Sequence, residues 1–305
     1  MRGLATDPQA RGLLDDAAVL NVGGEEIVLT HDMLVEGVHF LPDDPPEMVA
    51  WKLVAVNMSD LAAKGAKPLG VLLGFSLGQD SAWHSAFADG LGEALTHFGA
   101  PLLGGDTVAL PQGAPRSLGL TAIGRGTGQV PSRSGAQPGD ALYVSGTVGD
   151  AGAGLALLHA GQTEPATLID AYRRPMPDLS LGQQLAPLVS AMADISDGLL
   201  IDADRITKAS GCGMEIDLGA VPLSPDFITA NGDNRESRLF AAACGDDYRL
   251  AFAINPARIA ELPDLGIPLT RVGTCIATPG IRLTHKGEIL PLPTRLGYEH
   301  GTPIT

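Results

Sequence analysis

The sequence predicts an α/β protein of two domains, and three observations carry that prediction. At 305 residues the chain is long for a single hydrophobic core. Along its first half, β-like apolar runs alternate with helical periodicity. The stretch "GTGQVPSRSGAQPGD" at 126–140 then breaks both patterns with Gly, Pro and Ser before they resume. The expected division is 1–137 and 138–305, with the boundary near Gln137.

In chain order, "EIVLTH" at 26–31 reads as a strand. From Pro46 the residues Val49, Leu53, Val54, Val56, Leu61 and Ala62 recur at three- and four-residue spacing, which predicts a helix with one face in a core and a stop at Gly65. "LGVLLGFSL" at 69–77 is a second strand, Ser81 to about Phe98 a second helix, and "SLGLTAIGR" at 117–125 a third strand. Beyond the turn-rich stretch, "ALYVSG" at 141–146 restarts as a strand and "GDAGAGLALLHA" opens a helix, with mixed elements continuing to about Leu290. No repeat or low-complexity tract interrupts the series.

Hydrophobic residues make up 45% of the chain, enough for two cores, and 20 basic against 35 acidic residues leave a formal charge of −15. That sign disfavours nucleic acid and anionic membranes as partners and suits cations. No apolar stretch approaches the roughly 20 residues that span a bilayer, and no signal peptide is apparent, so the expected location is cytoplasmic. Cys212, Cys244 and Cys275 are scattered without CxxC spacing, which predicts reduced, mostly structural thiols.

Aspartates recur at the edges of hydrophobic elements, beside Gly, Ser or Thr: Asp15 and Asp16, Asp32, Asp60, Asp106, Asp150, and Asp194 with Asp197. Any one of them is more simply a turn or N-cap residue. As a set they suit magnesium, which prefers carboxylate, water and phosphate oxygens. Asp60 is unusual in lying near a helix C-terminus among apolar neighbours, where the macrodipole and desolvation both oppose its charge, so a positive group is expected beside it. "GGD" at 104–106 and "GTVGDAGAG" at 146–154 would let backbone N–H groups approach an anion, although tight turns alone explain such glycines. No GxxxxGK[ST] occurs, which excludes an ordinary P-loop.

Eight segments, in this order, carry a family resemblance: "LLDDAAVL" (13–20), "THDMLVEGVHF" (30–40), "VNMSDLAAKGAKPLG" (56–70), "LLGGDT" (102–107), "SRSGAQPGD" (132–140), "SGTVGDAGAGL" (145–155), "MADISDGLLIDADRITKASGCG" (192–213) and "CGDDYRL" (244–250). With them the chain resembles the ATP-binding superfamily of aminoimidazole ribonucleotide synthetase and selenophosphate synthetase, and within it the thiamine-monophosphate kinases. The resemblance implies a two-domain fold of that type and a homodimer formed through the N-terminal sheets. It implies transfer of the ATP γ-phosphoryl group to thiamine phosphate, giving thiamine diphosphate. It further implies magnesium ligands at Asp16, Thr30, Asp32, Asp60, Asp106, Asp194 and Asp197, with Asp60, Asp32 and Asp106 closest to the chemistry. ATP contacts would come from Gly105, Asp106, Arg133 and Ser196, and substrate contacts from His39, Asp246 and Tyr298.

The chain departs from the family pattern at Leu14, His31, Asp178, Cys244, Arg249 and Gly301. Imidazole is a poorer magnesium ligand than oxygen, so His31 is expected to turn away from the metal side. An aromatic at 301 would have helped to stack the thiamine pyrimidine. Two other functions remain open: phosphoryl activation of a different small substrate on the same fold, and a non-catalytic nucleotide-binding paralogue.

Overall fold

The computed structural model describes residues 2–264 and 266–299, and the chain forms two compact units. The first comprises the chain up to Val130 together with Arg173–Gln183. Its elements are β1 (Ala18–Val22), β2 (Glu25–Val35), α1 (Pro46–Ala63), β3 (Ala66–Leu77), α2 (Ser81–Phe98), β4 (Leu102–Ala109) and β5 (Ser117–Gly126). The strands order as β1-β2-β5-β3-β4, antiparallel except for the parallel β3–β4 pair. Helix α2 begins where Asp80 accepts the N–H groups of Ala82 and Trp83 at 3.0 and 3.1 Å, and ends on the left-handed Gly99.

Helix α1 departs from its expected single buried face. All residues from Val49 to Ala63 are buried, Lys52, Asn57, Ser59 and Asp60 included. The sequence there is apolar on nearly every side, and a helix of that kind is buried on every side. Its polar residues find local partners: the Asn57 amide donates to the Leu53 carbonyl at 2.9 Å, and the Lys52 ammonium to the His39 carbonyl at 3.1 Å.

The segment Arg173–Gln183 returns to this first unit, whereas the sequence suggests one cut near Gln137. Trp51 of α1 donates its indole N–H to the Pro175 carbonyl at 2.9 Å, and the Arg174 guanidinium lies 3.7 Å from the centroid of the same ring. Arg173 pairs with the buried Asp44 at 2.7 Å. These are contacts between residues far apart in sequence, so no local composition announces them.

The second unit comprises Pro131–Tyr172 and the chain from Gln184 onward. Its strands are β6 (Ala141–Ser145), β7 (Ala191–Asp194), β8 (Gly213–Asp217), β9 (Leu250–Ile254), β10 (Leu269–Ile276), β11 (Gly280–His285) and β12 (Glu288–Leu290), ordered β12-β11-β8-β10-β6-β9-β7. The helices of the rest of the chain are α3 (Asp150–His159), α4 (Ala166–Arg173), α5 (Leu179–Leu185), α6 (Leu199–Ser210), α7 (Pro225–Asn231) and α8 (Arg235–Ala243). Strand β9 is buried along its whole length, as expected for a strand inside a sheet. Cys212 and Cys275 sit in this core, and all three cysteines are thiols. Among the described residues, no helix is long and apolar enough to cross a membrane.

Candidate functional site

In the first unit, Asp16, Thr30 and Asp60 come together from three elements. Asp16 ends the turn before β1, Thr30 lies inside β2, and Asp60 is in the last turn of α1. The Thr30 hydroxyl is hydrogen-bonded to the Asp60 carboxylate and lies 3.3 Å from the Asp16 carbonyl. One carboxylate oxygen of Asp16 is within 4.8 Å of one of Asp60. Two like charges that close, with little water around them, are unfavourable unless a cation is near. Every donor is an oxygen, so these residues fit magnesium.

The positive group expected near Asp60 is present, but it pairs with the neighbouring carboxylates. Lys64, at the C-terminal end of α1, is fully buried and places its ammonium 2.5 Å from Asp15 and 2.8 Å from Asp16. Arg11 adds a 2.6 Å contact to Asp15. Burial raises the Asp15 carboxyl, yet Lys64 and Arg11 outweigh it and hold it at about 2. Burial likewise opposes the Lys64 charge, and the two aspartates more than restore it.

Asp32 lies two residues beyond Thr30 and shares its face of β2, and its N–H is donated to the Asn57 amide oxygen of α1 at 3.1 Å. His31 points the other way: its Nδ1 is 2.9 Å from the Thr121 hydroxyl, and its register partner on β5 is that same threonine. The expectation that this imidazole turns from the metal side agrees with that geometry. His39 accepts the Val35 N–H on its Nδ1 at 3.0 Å, which puts its ring proton on Nε2.

Gly105 and Asp106 are on the edge strand β4, exposed throughout. Through the rows Gly74↔Asp106, Gly74↔Gly119 and Met33↔Gly119, Asp106 shares a sheet face with Met33, opposite to that of Thr30 and Asp32. The structure therefore does not gather Asp106 with the Asp16–Thr30–Asp60 group. Gly105 is required sterically, because a Cβ there would fall 1.9 Å from the Leu73 carbonyl oxygen.

In the second unit, the loop 194–198 is held from several sides. Asp194 ends β7, and the N–H groups of Ser196 and Asp197 both donate to one oxygen of Asp202, at 3.1 Å each. The other Asp202 oxygen meets Arg205 at 2.6 Å, and Arg205 also reaches Asp197 at 2.6 Å. Burial pushes Asp202 up to about 6 against the pull of Arg205, with the Asp197 charge adding to the rise and Arg133 opposing it. The Ser196 carbonyl accepts the Asp246 N–H at 2.8 Å, and the Asp197 carbonyl accepts the Tyr298 N–H at 2.9 Å. Four of the predicted residues, Ser196, Asp197, Asp246 and Tyr298, thus belong to one backbone network. Gly297 is needed for that approach, since a Cβ there would fall 2.4 Å from the Asp197 carbonyl oxygen. Arg133 is anchored through its own carbonyl, which accepts the Ser210 hydroxyl at 3.1 Å.

Asp246 and Tyr248 both adopt left-handed backbone, with φ of 70° and 49°. Residues other than glycine take that conformation at a cost and keep it when the surroundings impose it. Here the Tyr248 N–H is tied to the Ile195 carbonyl at 2.8 Å, and its hydroxyl donates to Asp246 at 2.9 Å. Between them Asp247 turns inward, and its two oxygens accept the Gly149 N–H at 3.0 and 2.8 Å. The glycine-rich start of α3, read as a place for an anion, thus takes the chain's own carboxyl group. Burial drives Asp247 up to about 8, the Gly149 N–H pulls it back, and the Asp150 charge adds to the rise.

Sequence reasoning passed over Lys64, Asp202, Arg205, Asp247 and Tyr248 as site residues. The signal for Asp202 was its place in the first turn of α6, the position of a helix-capping carboxylate. Among the departures, Asp178 caps α5 through the Leu181 N–H at 2.8 Å, and burial raises the Cys244 thiol well above its ordinary value as it packs on the Gly149–Gly152 turn. The Arg249 guanidinium lies beside Gly146. Gly301 lies outside the described residues.

Residues 14–126 match the N-terminal domain of the AIR synthase related proteins, and 137–286 match the C-terminal domain. The thiamine-monophosphate kinase of Caulobacter vibrioides is 40% identical over 309 residues, spanning 97% of this chain and 86% of that protein. The chain belongs to the thiamine-monophosphate kinase family. The fold agrees: the crystal structure of the family member from Stenotrophomonas maltophilia superposes with a TM-score of 0.81 at 36% identity, covering 95% of this chain and 94% of that one. AaThiL complexed with AMPPCP and TMP superposes with a TM-score of 0.83 at 29% identity, covering 94% and 91%.

Proposed function

We propose that this enzyme is a kinase of the family's type that transfers the γ-phosphoryl group of ATP to thiamine phosphate, by magnesium-assisted in-line displacement. The observation that carries the reading is the meeting of Asp16, Thr30 and Asp60 in a chain related over nearly its whole length to thiamine-monophosphate kinases. A relative of the same fold complexed with AMPPCP and TMP supports the pair of substrates.

In this reading Asp16, Thr30, Asp32, Asp60, Asp194 and Asp197 hold the metal, and Asp106, on the opposite sheet face, is not counted among them. Bound magnesium would screen the repulsion between two polyanions and stabilise charge on the transferred group. Arg133 clamps the nucleotide phosphates bidentately, and Gly105, Asp106 and Ser196 are the other proposed ATP contacts. His39, Asp246 and Tyr298 hold the acceptor, Asp246 being oriented by Tyr248. The attacking phosphate has a second pKa of about 6 and arrives deprotonated near neutral pH, so no residue need act as general base. A second copy of the chain is the proposed partner. Met33, Leu72 and Val108 are each 40–55% exposed on the sheet face that also bears Asp106, a patch suited to pairing between copies. The proposed location is the cytoplasm.

The test is ADP release with thiamine phosphate against a panel of other phosphate acceptors. Asp60→Asn keeps the side-chain shape and removes the charge, so turnover should fall by at least about 100-fold while the fold persists. Full turnover by this variant, or a preference for another acceptor, would reject the reading.

A further inference from the structure

The acidic turn before β1 carries its own cation. Asp15 and Asp16 are adjacent in sequence, and the side chain of each is 2% exposed. Two adjacent buried carboxylates cost several kcal/mol unless they are paired. The Lys64 side chain, 0% exposed, reaches both of them. Its placement is dictated by α1: Lys64 caps the helix, and its backbone N–H returns to the Asp60 and Leu61 carbonyls. The ammonium therefore stands at the negative end of the helix dipole as well as between two carboxylates. Arg11 contacts Asp15, and Lys64 is bound to Asp16 as well, the residue that also approaches Asp60.

We propose that Lys64 is a built-in cation of this carboxylate cluster: it holds the Asp15–Asp16 turn folded without metal and weakens divalent-ion binding at Asp16. The proposal rests on the reading of Asp16 as a magnesium ligand. A carboxylate already paired with an ammonium offers less net charge to a second cation, and the ammonium itself repels that cation. The cluster thus contains a part that the protein itself neutralises, around Asp15.

The experiment uses the whole chain, nucleotide-free, with magnesium chloride alone as titrant, and follows both the melting temperature and binding heat. Lys64→Met keeps the length of the side chain and removes its charge. Its melting temperature in chelator should fall below that of the starting protein, and magnesium should recover more of it than the same addition gives the starting protein. Magnesium affinity should rise at least about ten-fold, the size of repulsion that even water-like screening leaves between a unit charge and a neighbouring divalent ion. Since Lys64→Met could fail to fold, the double variant Asp15→Asn with Lys64→Met removes one charge of each sign. It should fold in chelator and still bind magnesium more tightly than the starting protein. Equal magnesium affinity in the starting protein and in whichever variant folds would overturn the proposal while leaving Asp16 a metal ligand. No magnesium response in any of the proteins would overturn the ligand reading itself, and the proposal with it.

Discussion

Replacing Asp247 by Asn tests whether the anion position at the start of α3 is filled by a neutral acid. The carboxyl is 8% exposed and is driven up to about 8 from an ordinary 3.8, chiefly by burial. Its folded value lies above its unfolded one, so at intermediate pH the folded chain holds a proton that the unfolded chain has released. Stability contributed by this group is then fully present below about pH 4 and declines as pH rises toward 8. By pH 7 the gap spans just over three units, or about 4 kcal/mol. Asn has no proton to release, and its carbonyl can still accept the Gly149 N–H. Urea unfolding at pH 4 to 8 should therefore show the Asp247→Asn variant level with the starting protein at the acid end and up to about 4 kcal/mol more stable at pH 7. Parallel stability curves, or a variant that is less stable at pH 7 and converges with the starting protein in acid, would mean that the side chain is ionised and serves the helix as a true anion.

Two further outcomes concern the second unit. Tyr248→Phe removes only the hydroxyl that meets Asp246 at 2.9 Å, so the Michaelis constant for thiamine phosphate should rise about five- to ten-fold with that for ATP unchanged; equal effects on both would make the hydroxyl merely structural. Arg133→Lys keeps a charge but loses the planar fork, so calorimetry with magnesium present should show weaker ATP binding by about 1–2 kcal/mol, and equal nucleotide affinity would remove Arg133 from the site.

Local pattern made much of the fold legible. Helix α2 runs over Ser81–Phe98 as its periodicity predicts, and the strands containing 26–31, 69–77 and 117–125 stand where alternating apolar residues put them. Local pattern does not announce strands β1 and β4. The glycines of β4 weaken β propensity, and all eight of its residues are exposed, so no buried alternation marks it.

The chemistry of the candidate site was also legible, because residue type and motif order are local properties: Asp16, Thr30, Asp60, Ser196, Asp197 and Asp246 are all named in the sequence motifs. Their pairing is not local. That Lys64 belongs to Asp15 and Asp16 across 49 and 48 positions, that Asp247 fills the anion place of a helix 98 positions earlier, and that Arg173–Gln183 returns to the first unit follow from chain packing. Motif order announced an acidic, metal-suited site, whereas the burial imposed by packing settles which of its charges the protein neutralises for itself, since the energy of a charge depends on the partners and the water left around it.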